Sequence, residues 1–190
     1  MKKYKPTSPG RRDGSVIEYR KKLTSTKNRP QKSLTKGKRS TGGRNSQGRI
    51  TTRHKGGGHK RKFRAIDFLM NKKDIPMRVE TIEYDPNRSG FIGLVAYADG
   101  EKRYVLLPQS VKVGDTIVTS EKAKISAGNR VPLTKVPVGT FVYNVELKPG
   151  NGAKIARSAG IYAEVVAQDE GVTHLKMPST EVRKVQSAAW

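Results

Sequence analysis

After residue 64 the chain alternates hydrophobic and polar residues in short segments, a pattern typical of half-buried β-strands. Two of these segments meet at Asp99-Gly100, a dipeptide that favours a type I′ turn, and they predict a β-hairpin over 91–108. No stretch shows the periodicity of a long amphipathic helix. Further strands are predicted over 77–85, 111–119, 140–147, 160–168, 172–177 and 181–185.

Turn-forming and strand-breaking residues divide the predicted strands into two sets. DPNRSG (85–90) is a Pro-Asn turn with a closing glycine. GNRVPLTKVPVG (128–139) contains two prolines, which interrupt ladder pairing, and it predicts a connector. Many short strands at this spacing favour small β-barrels. The sequence therefore predicts a mainly β protein with two small β-barrels, one on each side of the connector.

The positive charge is concentrated in the first 64 residues. This segment holds 22 lysines and arginines against Asp13 and Glu18, a net +20 of the formal +23. Its larger apolar side chains occur singly, so burial within the segment cannot offset an ordering cost of about 1–2 kcal/mol per residue. We therefore expect a long basic N-terminal extension that stays disordered until a polyanionic partner neutralises it.

Composition excludes several classes of protein. The absence of cysteine excludes a disulfide scaffold and a thiolate metal site. The start, MKKYKPTSPGRR, has no apolar core of the kind found in secretory signals. No run approaches the roughly 18 apolar residues that span a bilayer. A segment lying on a membrane would need an apolar face, and none repeats in the basic segment, so no membrane partner is expected.

The stretch GGRNSQGRITTRHKGGGHKRK (42–62) interleaves glycine with arginine and lysine. Glycine removes side chains where the backbone must pass close to a phosphate, and the basic groups donate hydrogen bonds to phosphate oxygens. The pattern favours a segment that threads along a nucleic-acid backbone over a generic solvated charge run. It does not distinguish DNA from RNA. The glycines are Gly42, Gly43, Gly48, Gly56, Gly57 and Gly58, and the basic residues are Arg44, Arg49, Arg53, Lys55, Lys60, Arg61, Lys62 and, just beyond, Arg64.

Two motifs raise alternative functions. His54 and His59 suggest a metal site, but zinc normally needs three or four protein ligands, so histidines that stack on bases or bind phosphates are favoured. KPGNGAKI (148–155) is similar to a dinucleotide-binding fingerprint, but Ile155 stands in place of the third glycine and a strand follows where a helix is required. We therefore predict no metal, no cofactor and no catalytic residue.

Long segments of the chain closely resemble one family. They run in order from near the N-terminus to about residue 185: KPTSPGRR, GGRNSQGRITTRHKGGGHKR, EYDPNRSGFIGLVAYADGEKRYVL, VPVGTFVYNVELKPGNGAKIARSAG and EVRKV. The family is that of the bacterial-type large-subunit ribosomal proteins of the universal second family.

The resemblance implies a basic rRNA-threading extension over 1–64, an oligonucleotide-binding barrel over 65–125 and an SH3-like barrel over 126–190. It implies a structural constituent of the large ribosomal subunit, a primary rRNA-binding protein that supports subunit association and the peptidyl transferase region. The implied rRNA contacts are Arg11, Arg12, Arg44, Arg49, Arg53, His54, Lys55, Gly56, Gly57, Gly58, His59, Lys60, Arg61, Lys62, Arg64, Lys148, Lys154 and Arg157.

The implied partners are large-subunit rRNA, neighbouring ribosomal proteins and small-subunit rRNA at an intersubunit bridge, in a cytoplasmic ribosome, with an organellar ribosome left open. In the family a long basic, glycine-rich tail follows, whereas this sequence ends at Ala189-Trp190. The alternative function is a free nucleic-acid chaperone or architectural binder, and a nucleotide-dependent enzyme is a distant third.

Overall fold

The computed structural model describes residues 1–24 and 29–190. Within these ranges the chain is mainly β, as predicted, and none of its helices is long and apolar enough to cross a membrane. The helices are α1 (Pro9–Arg12) and α2 (Tyr19–Lys22), with 3-10 turns over Lys32–Leu34 and Leu133–Lys135. The strands are β1 (Lys2–Lys3), β2 (Ser15–Val16), β3 (Thr35–Gly37), β4 (Lys62–Arg64), β5 (Met77–Glu83), β6 (Ile92–Tyr97), β7 (Lys102–Leu106), β8 (Thr116–Ile117), β9 (Phe141–Val142), β10 (Val145–Glu146), β11 (Ala153–Ile155), β12 (Ala163–Asp169), β13 (Val172–Lys176) and β14 (Val182–Gln186).

The first sheet contains four antiparallel strands in the order β7-β6-β5-β8. β5, β6 and β7 confirm the strands predicted over 77–85 and 91–108, while the pattern over 111–119 yields only the two-residue strand β8. β6 lies between β5 and β7 and is buried on both faces. Its residues Val95 and Tyr97 pack in one hydrophobic cluster, and Ile92 and Leu94 pack in another.

The hairpin between β6 and β7 is confirmed, but the predicted type I′ turn is wrong. The Tyr97 carbonyl accepts the Gly100 N–H at 2.9 Å, and the Tyr97 N–H donates to the Glu101 carbonyl at 2.9 Å. Gly100 has φ +88°, whereas Asp99 does not have a positive φ. Three residues therefore connect the strands, in a type I turn followed by a glycine bulge, and this loop needs a left-handed residue at Gly100 alone.

The second sheet has the order β14-β13-β12-β9 and is also antiparallel. β12, β13 and β14 confirm the strands predicted over 160–168, 172–177 and 181–185. The single strand predicted over 140–147 is wrong, because Asn144 adopts φ +56° and divides it into β9 and β10. β10 then pairs with β11 in a separate two-stranded sheet. The predicted connector over 128–139 is confirmed, because none of the strands β1 to β14 lies within it.

Each four-stranded sheet curls around its own hydrophobic cluster, as expected for small barrels. A third cluster covers the outer face of the first sheet, and Tyr143 packs against both this cluster and that of the second sheet. Burial raises the pKa of the Tyr143 hydroxyl.

The three hydrophobic clusters have the following buried members. The cluster of the first sheet contains Met70, Met77, Val79, Val95, Tyr97, Val105, Val111 and Ile117. The cluster of the second sheet contains Leu133, Val136, Val145, Ile155, Ala156, Ala163, Val165, Leu175, Val185 and Ala189, and the third cluster contains Ile92, Leu94, Tyr104 and Leu106.

Parts of the basic N-terminal segment pack on the first sheet. Leu34 contacts the third cluster, and the Gln31 N–H donates to the hydroxyl of Tyr104 at 2.9 Å. That hydroxyl in turn donates to the Glu83 carboxylate at 2.9 Å, and burial raises the pKa of Tyr104 to about 12. Thr24 exchanges hydrogen bonds with the backbone of Ile82. Tertiary contacts therefore fix residues within a segment whose composition predicts disorder in isolation.

Candidate nucleic-acid interface

Residues 38–61 form one long loop, here called the basic loop, whose two ends are held together. β3 pairs with β4 in antiparallel register, with Gly37 opposite Lys62. The side-chain amide of Asn87 donates to the Lys62 carbonyl at 2.7 Å. Because both ends are already fixed, ordering the basic loop on a partner costs less conformational entropy than ordering a free tail of the same length.

A tight turn shapes the start of the basic loop. The Asn45 side-chain oxygen accepts the N–H groups of Gln47 and Arg49, both at 3.0 Å. Gly43 has φ +77°, and a Cβ atom there would lie 2.2 Å from the Thr52 carbonyl oxygen. The glycine at position 43 is therefore required by the protein's own backbone, without reference to a partner.

The triple glycine later in the basic loop lies in open space. A Cβ atom added at Gly56, Gly57 or Gly58 would meet no atom within 4 Å. Gly56 and Gly57 have φ values of +141° and +66°, in conformations that favour glycine, whereas Gly58 does not have a positive φ. Nothing in the described part of the protein thus requires a glycine at position 58.

The basic side chains of this loop are exposed and unneutralised. Every residue from 44 to 63 is exposed, and no lysine or arginine among them has a carboxylate oxygen within 4.0 Å in the described part of the chain. By contrast, Lys102 and Arg103 on β7, and Lys72 in the segment before β5, are ion-paired. The predicted contacts that share this exposed setting are Arg44, Arg49, Arg53, His54, Lys55, His59, Lys60, Arg61 and Lys62.

Arg64 differs from the other predicted contacts because it is buried. It is 9 % exposed, and its guanidinium lies 3.6 Å from the carboxylate of Asp85, a residue with no exposed surface. Arg88 donates to the other oxygen of that carboxylate at 2.6 Å. Burial raises the pKa of Asp85, but hydrogen bonds from Arg88 and Asn87 outweigh burial and lower it overall. Arg64 therefore holds the end of the basic loop on the first sheet, and its predicted contact with rRNA stays a prediction.

Two guanidinium groups from different halves of the chain lie over one aromatic ring. The Cζ atoms of Arg157 and Arg88 are 4.5 Å and 5.6 Å from the centroid of Phe68. Asp85 neutralises Arg88, whereas Arg157 has no carboxylate within 4.0 Å among the described residues. Two converging cations with one carboxylate favour an additional anion at this position.

The sequence predicts Arg157 as a contact but gives no such prediction for Arg88, which lies near the same ring. Arg88 lies in the turn over 85–90, and its position depends on Phe68, which is distant in sequence. The one local sign of its role is the spacing from Asp85, since residues three apart in a tight turn can form an ion pair.

The second glycine loop, residues 148–152, connects β10 to β11. The N–H groups of Gly150 and Gly152 donate to the two carboxylate oxygens of Glu146 at 3.1 and 3.2 Å. These backbone donors are therefore occupied by the protein's own anion, and the loop is a β-hairpin connection instead of the strand-to-helix turn of a dinucleotide site. The predicted contacts Lys148 and Lys154 are exposed on either side of this loop.

Arg11 and Arg12 lie apart from the other predicted contacts, in the short helix α1. Both are exposed, and the guanidinium of Arg11 lies 5.1 Å from the ring centroid of Tyr4. Over residues 1–24 and 29–190, no ion pair or hydrogen bond joins either arginine to the basic loop.

The two histidines of the basic loop lie near backbone and cations. His54 has φ +58°, and Nδ1 of His59 is 3.0 Å from the Lys60 carbonyl oxygen. Across the residues that the structure describes, no group of three or more His, Cys, Asp or Glu side chains is arranged to hold a metal ion.

Comparison with known protein families gives two matches that lie in order along the chain. Residues 31–119 match the family model described as Ribosomal Proteins L2, RNA binding N-terminal domain. Residues 126–190 match the one described as Ribosomal Proteins L2, C-terminal domain. The two matches span 89 and 65 residues, together 154 of 190. The basic loop lies within the first match, and the second glycine loop lies within the second.

Proposed function

The chain belongs to the Ribosomal Proteins L2 family, and from this premise we propose which of its surfaces bind rRNA. The family is a structural, RNA-binding family and not a typical enzyme family. The chain is accordingly a structural rRNA-binding protein of the large ribosomal subunit, which confirms the resemblance seen in the sequence.

We propose two rRNA-binding surfaces. The first is the basic loop with Lys62, and the second surrounds Phe68, where the two halves of the chain meet. Arg11 and Arg12 provide a further contact near the N-terminus. The side chains assigned to the first surface are Arg44, Arg49, Arg53, His54, Lys55, His59, Lys60, Arg61 and Lys62, with the glycines Gly56, Gly57 and Gly58; those assigned to the second are Arg88, Lys148, Lys154 and Arg157.

The observation that carries this proposal is the distribution of unneutralised charge. On the sheets, Lys102 pairs with Glu80 and Arg183 with Glu181, and the cations that lack a carboxylate within 4.0 Å among the described residues, such as Arg78, Lys176 and Lys184, are spread over different strands. The basic loop concentrates cations that have no such partner in the described residues, on a segment that is anchored at both ends. Phosphate contacts position a protein on RNA through this type of group.

The remaining assignments follow from the family resemblance. We propose an oligonucleotide-binding barrel over 65–125, an SH3-like barrel over 126–190 and an rRNA-threading extension over 1–64, part of which packs on the first barrel. We propose that the protein is a primary rRNA binder supporting subunit association and the peptidyl transferase region. Its proposed partners also include neighbouring ribosomal proteins and small-subunit rRNA at an intersubunit bridge, in the cytoplasmic ribosome.

Arg53→Ala tests whether the basic loop contacts phosphates. We expect weaker binding to protein-free large-subunit rRNA, and a salt slope (log Kd against log salt concentration) that is smaller by about 0.7 to 0.9 if one phosphate contact is lost. Lys102→Ala is the matched control, because Lys102 is paired with Glu80 on the sheet. If the two variants give the same affinity and slope, Arg53 makes no phosphate contact.

Gly58→Ala tests whether RNA passes close to the triple glycine. Because Gly58 has an ordinary backbone conformation and open space around it, the free protein should unfold at the same temperature as the parent. Binding to large-subunit rRNA should nevertheless weaken, since the added methyl group occupies space needed by the RNA. Gly37→Ala, where a Cβ atom also meets nothing within 4 Å, is the control. Parental binding by Gly58→Ala would make residues 56–58 a simple spacer.

Assembly into the subunit separates the proposed function from a free nucleic-acid chaperone. A protein integrated into the large subunit should remain with subunits sedimented in high salt, whereas an electrostatic binder should be released. Complete release under conditions in which other large-subunit proteins are retained would favour the chaperone.

A further inference from the structure

One buried guanidinium, that of Arg130, joins the two halves of the chain. Its side chain is 8 % exposed, and Nη1 donates to the carbonyls of Phe68 and Leu69, both at 3.2 Å. Its Nη2 lies 3.1 Å from Oε1 of Glu146, at the end of β10. The first two partners precede the first sheet, and the third belongs to the second half, so a single side chain links both.

Glu146 extends this link to the second glycine loop. It is 2 % exposed and accepts the N–H groups of Gly150 and Gly152 while pairing with Arg130. The N–H of Ala153, just after the loop, donates to the Phe68 carbonyl at 2.9 Å. The loop that carries Lys148 and Lys154 is therefore fixed against the backbone of Phe68, whose ring lies beside Arg88 and Arg157.

Stability alone gives a poor reason for a buried pair at this place. Removing two charges from water costs several kcal/mol per ion, and proteins in which well-packed apolar residues replace a buried ion pair are often equally stable or more stable. A buried pair with directional hydrogen bonds, however, fixes orientation in a way that apolar contacts do not. Four of the backbone groups that hydrogen-bond to this pair, the carbonyls of Phe68 and Leu69 and the N–H groups of Gly150 and Gly152, lie on segments that border the second proposed rRNA surface.

We infer that Arg130 and Glu146 are positioning residues for rRNA binding: they hold the second glycine loop and the Phe68 segment in one geometry, so that the cations of both halves bind one continuous stretch of phosphates. The inference rests on the proposed function. Neither residue contacts RNA itself. Fixing the geometry before binding removes an ordering cost from association.

Arg130→Lys in the full chain tests the inference. Lysine keeps the charge near Glu146 but lacks the planar fork that reaches the Phe68 and Leu69 carbonyls as well. We expect binding to protein-free large-subunit rRNA to weaken about tenfold with an unchanged salt slope, because a loosened joint raises the ordering cost without removing a phosphate contact. Arg183→Lys, in an exposed pair with Glu181, is the matched control.

Glu146→Ala gives a second measurement that does not depend on the lysine variant folding well. Deleting the carboxylate leaves Arg130 and two glycine N–H groups facing a small cavity, which acetate can fill. Affinity for rRNA should fall, and sodium acetate should raise it again relative to sodium chloride at equal ionic strength. Parental affinity in either variant, a salt slope in Arg130→Lys reduced by about 0.7 to 0.9, or an acetate effect no larger than that of chloride would overturn the inference.

Arg157→Ala in the same assay separates this inference from the proposed function. If Arg157→Ala binds like the parent, the second surface itself is wrongly assigned. If Arg157→Ala weakens binding and lowers the salt slope while Arg130→Lys binds like the parent, the surface stands and the positioning role is wrong.

Discussion

A variant with six of the eight basic residues of the basic loop changed to glutamine is expected to bind large-subunit rRNA about a thousandfold less tightly than the parent in low salt. If each side chain contacts one phosphate, the salt slope falls by about 4 to 5. The residues are Arg44, Arg49, Arg53, Lys55, Lys60 and Arg61, all exposed and without carboxylate partners among the described residues. Titrations at several salt concentrations measure both quantities.

The same variant should fold like the parent. These six side chains contribute to none of the three hydrophobic clusters, and the anchors of the loop at Arg64 and Asn87 are untouched. Chemical denaturation should therefore give an unfolding free energy within about 0.5 kcal/mol of the parent. A binding loss accompanied by unfolding, or a slope that stays near the parental value, would contradict phosphate contacts by the basic loop.

Asp85→Asn is expected to lower the free energy of unfolding by about 3 to 5 kcal/mol, because it leaves Arg64 and Arg88 without their common carboxylate in a buried site. Asp85 has no exposed surface, and it also accepts the N–H of Asn87 at 3.0 Å. Asp13→Asn, at an exposed residue of the extension, is the control and should change the unfolding free energy by less than about 0.5 kcal/mol.

The pH dependence of this effect has a definite sign. The folded-state pKa of Asp85 is lowered, so its contribution is fully present above the unfolded value of about 3.9 and is lost as the pH falls through the folded value. The difference between the parent and Asp85→Asn should therefore be constant near neutral pH and shrink below about pH 4. A difference that persists unchanged at lower pH would show that the loss arises from packing and not from the carboxylate charge.

Local pattern predicts the strands of this protein well, because alternation and turn residues act over a few positions. β5, β6, β7, β12, β13 and β14 follow the pattern. The pattern does not predict the break at Asn144, because a single left-handed residue redirects the chain while it leaves the alternation of hydrophobic and polar residues almost intact. The type I′ turn predicted at Asp99-Gly100 is wrong because the turn type depends on the length of the loop. A two-residue loop of this type needs a positive φ at both residues, whereas the observed three-residue loop needs it at Gly100 alone.

The candidate interface is predictable only in part, because charge in the sequence does not reveal burial. Arg64 and Lys62 are indistinguishable by composition, yet tertiary contact with Asp85 buries one and leaves the other exposed. Arg88 is not predicted as a contact for the converse reason, since its proposed role depends on its position beside Phe68 and Arg157, of which Arg157 is far away in sequence. Arg130 lies in the predicted connector, where nothing local indicates a partner at Glu146.

Lysine acylation of the protein, free and within purified large subunits, tests the central claim most directly. Mass spectrometry gives the rate at each lysine, so the two proposed surfaces are compared with the sheets in one experiment. Lys55, Lys60, Lys62, Lys148 and Lys154 should be strongly protected in the subunit, and Lys102, paired on the first sheet, should be protected less. Equal acylation rates at the five interface lysines in the free protein and in the subunit would contradict the assignment of both surfaces to rRNA.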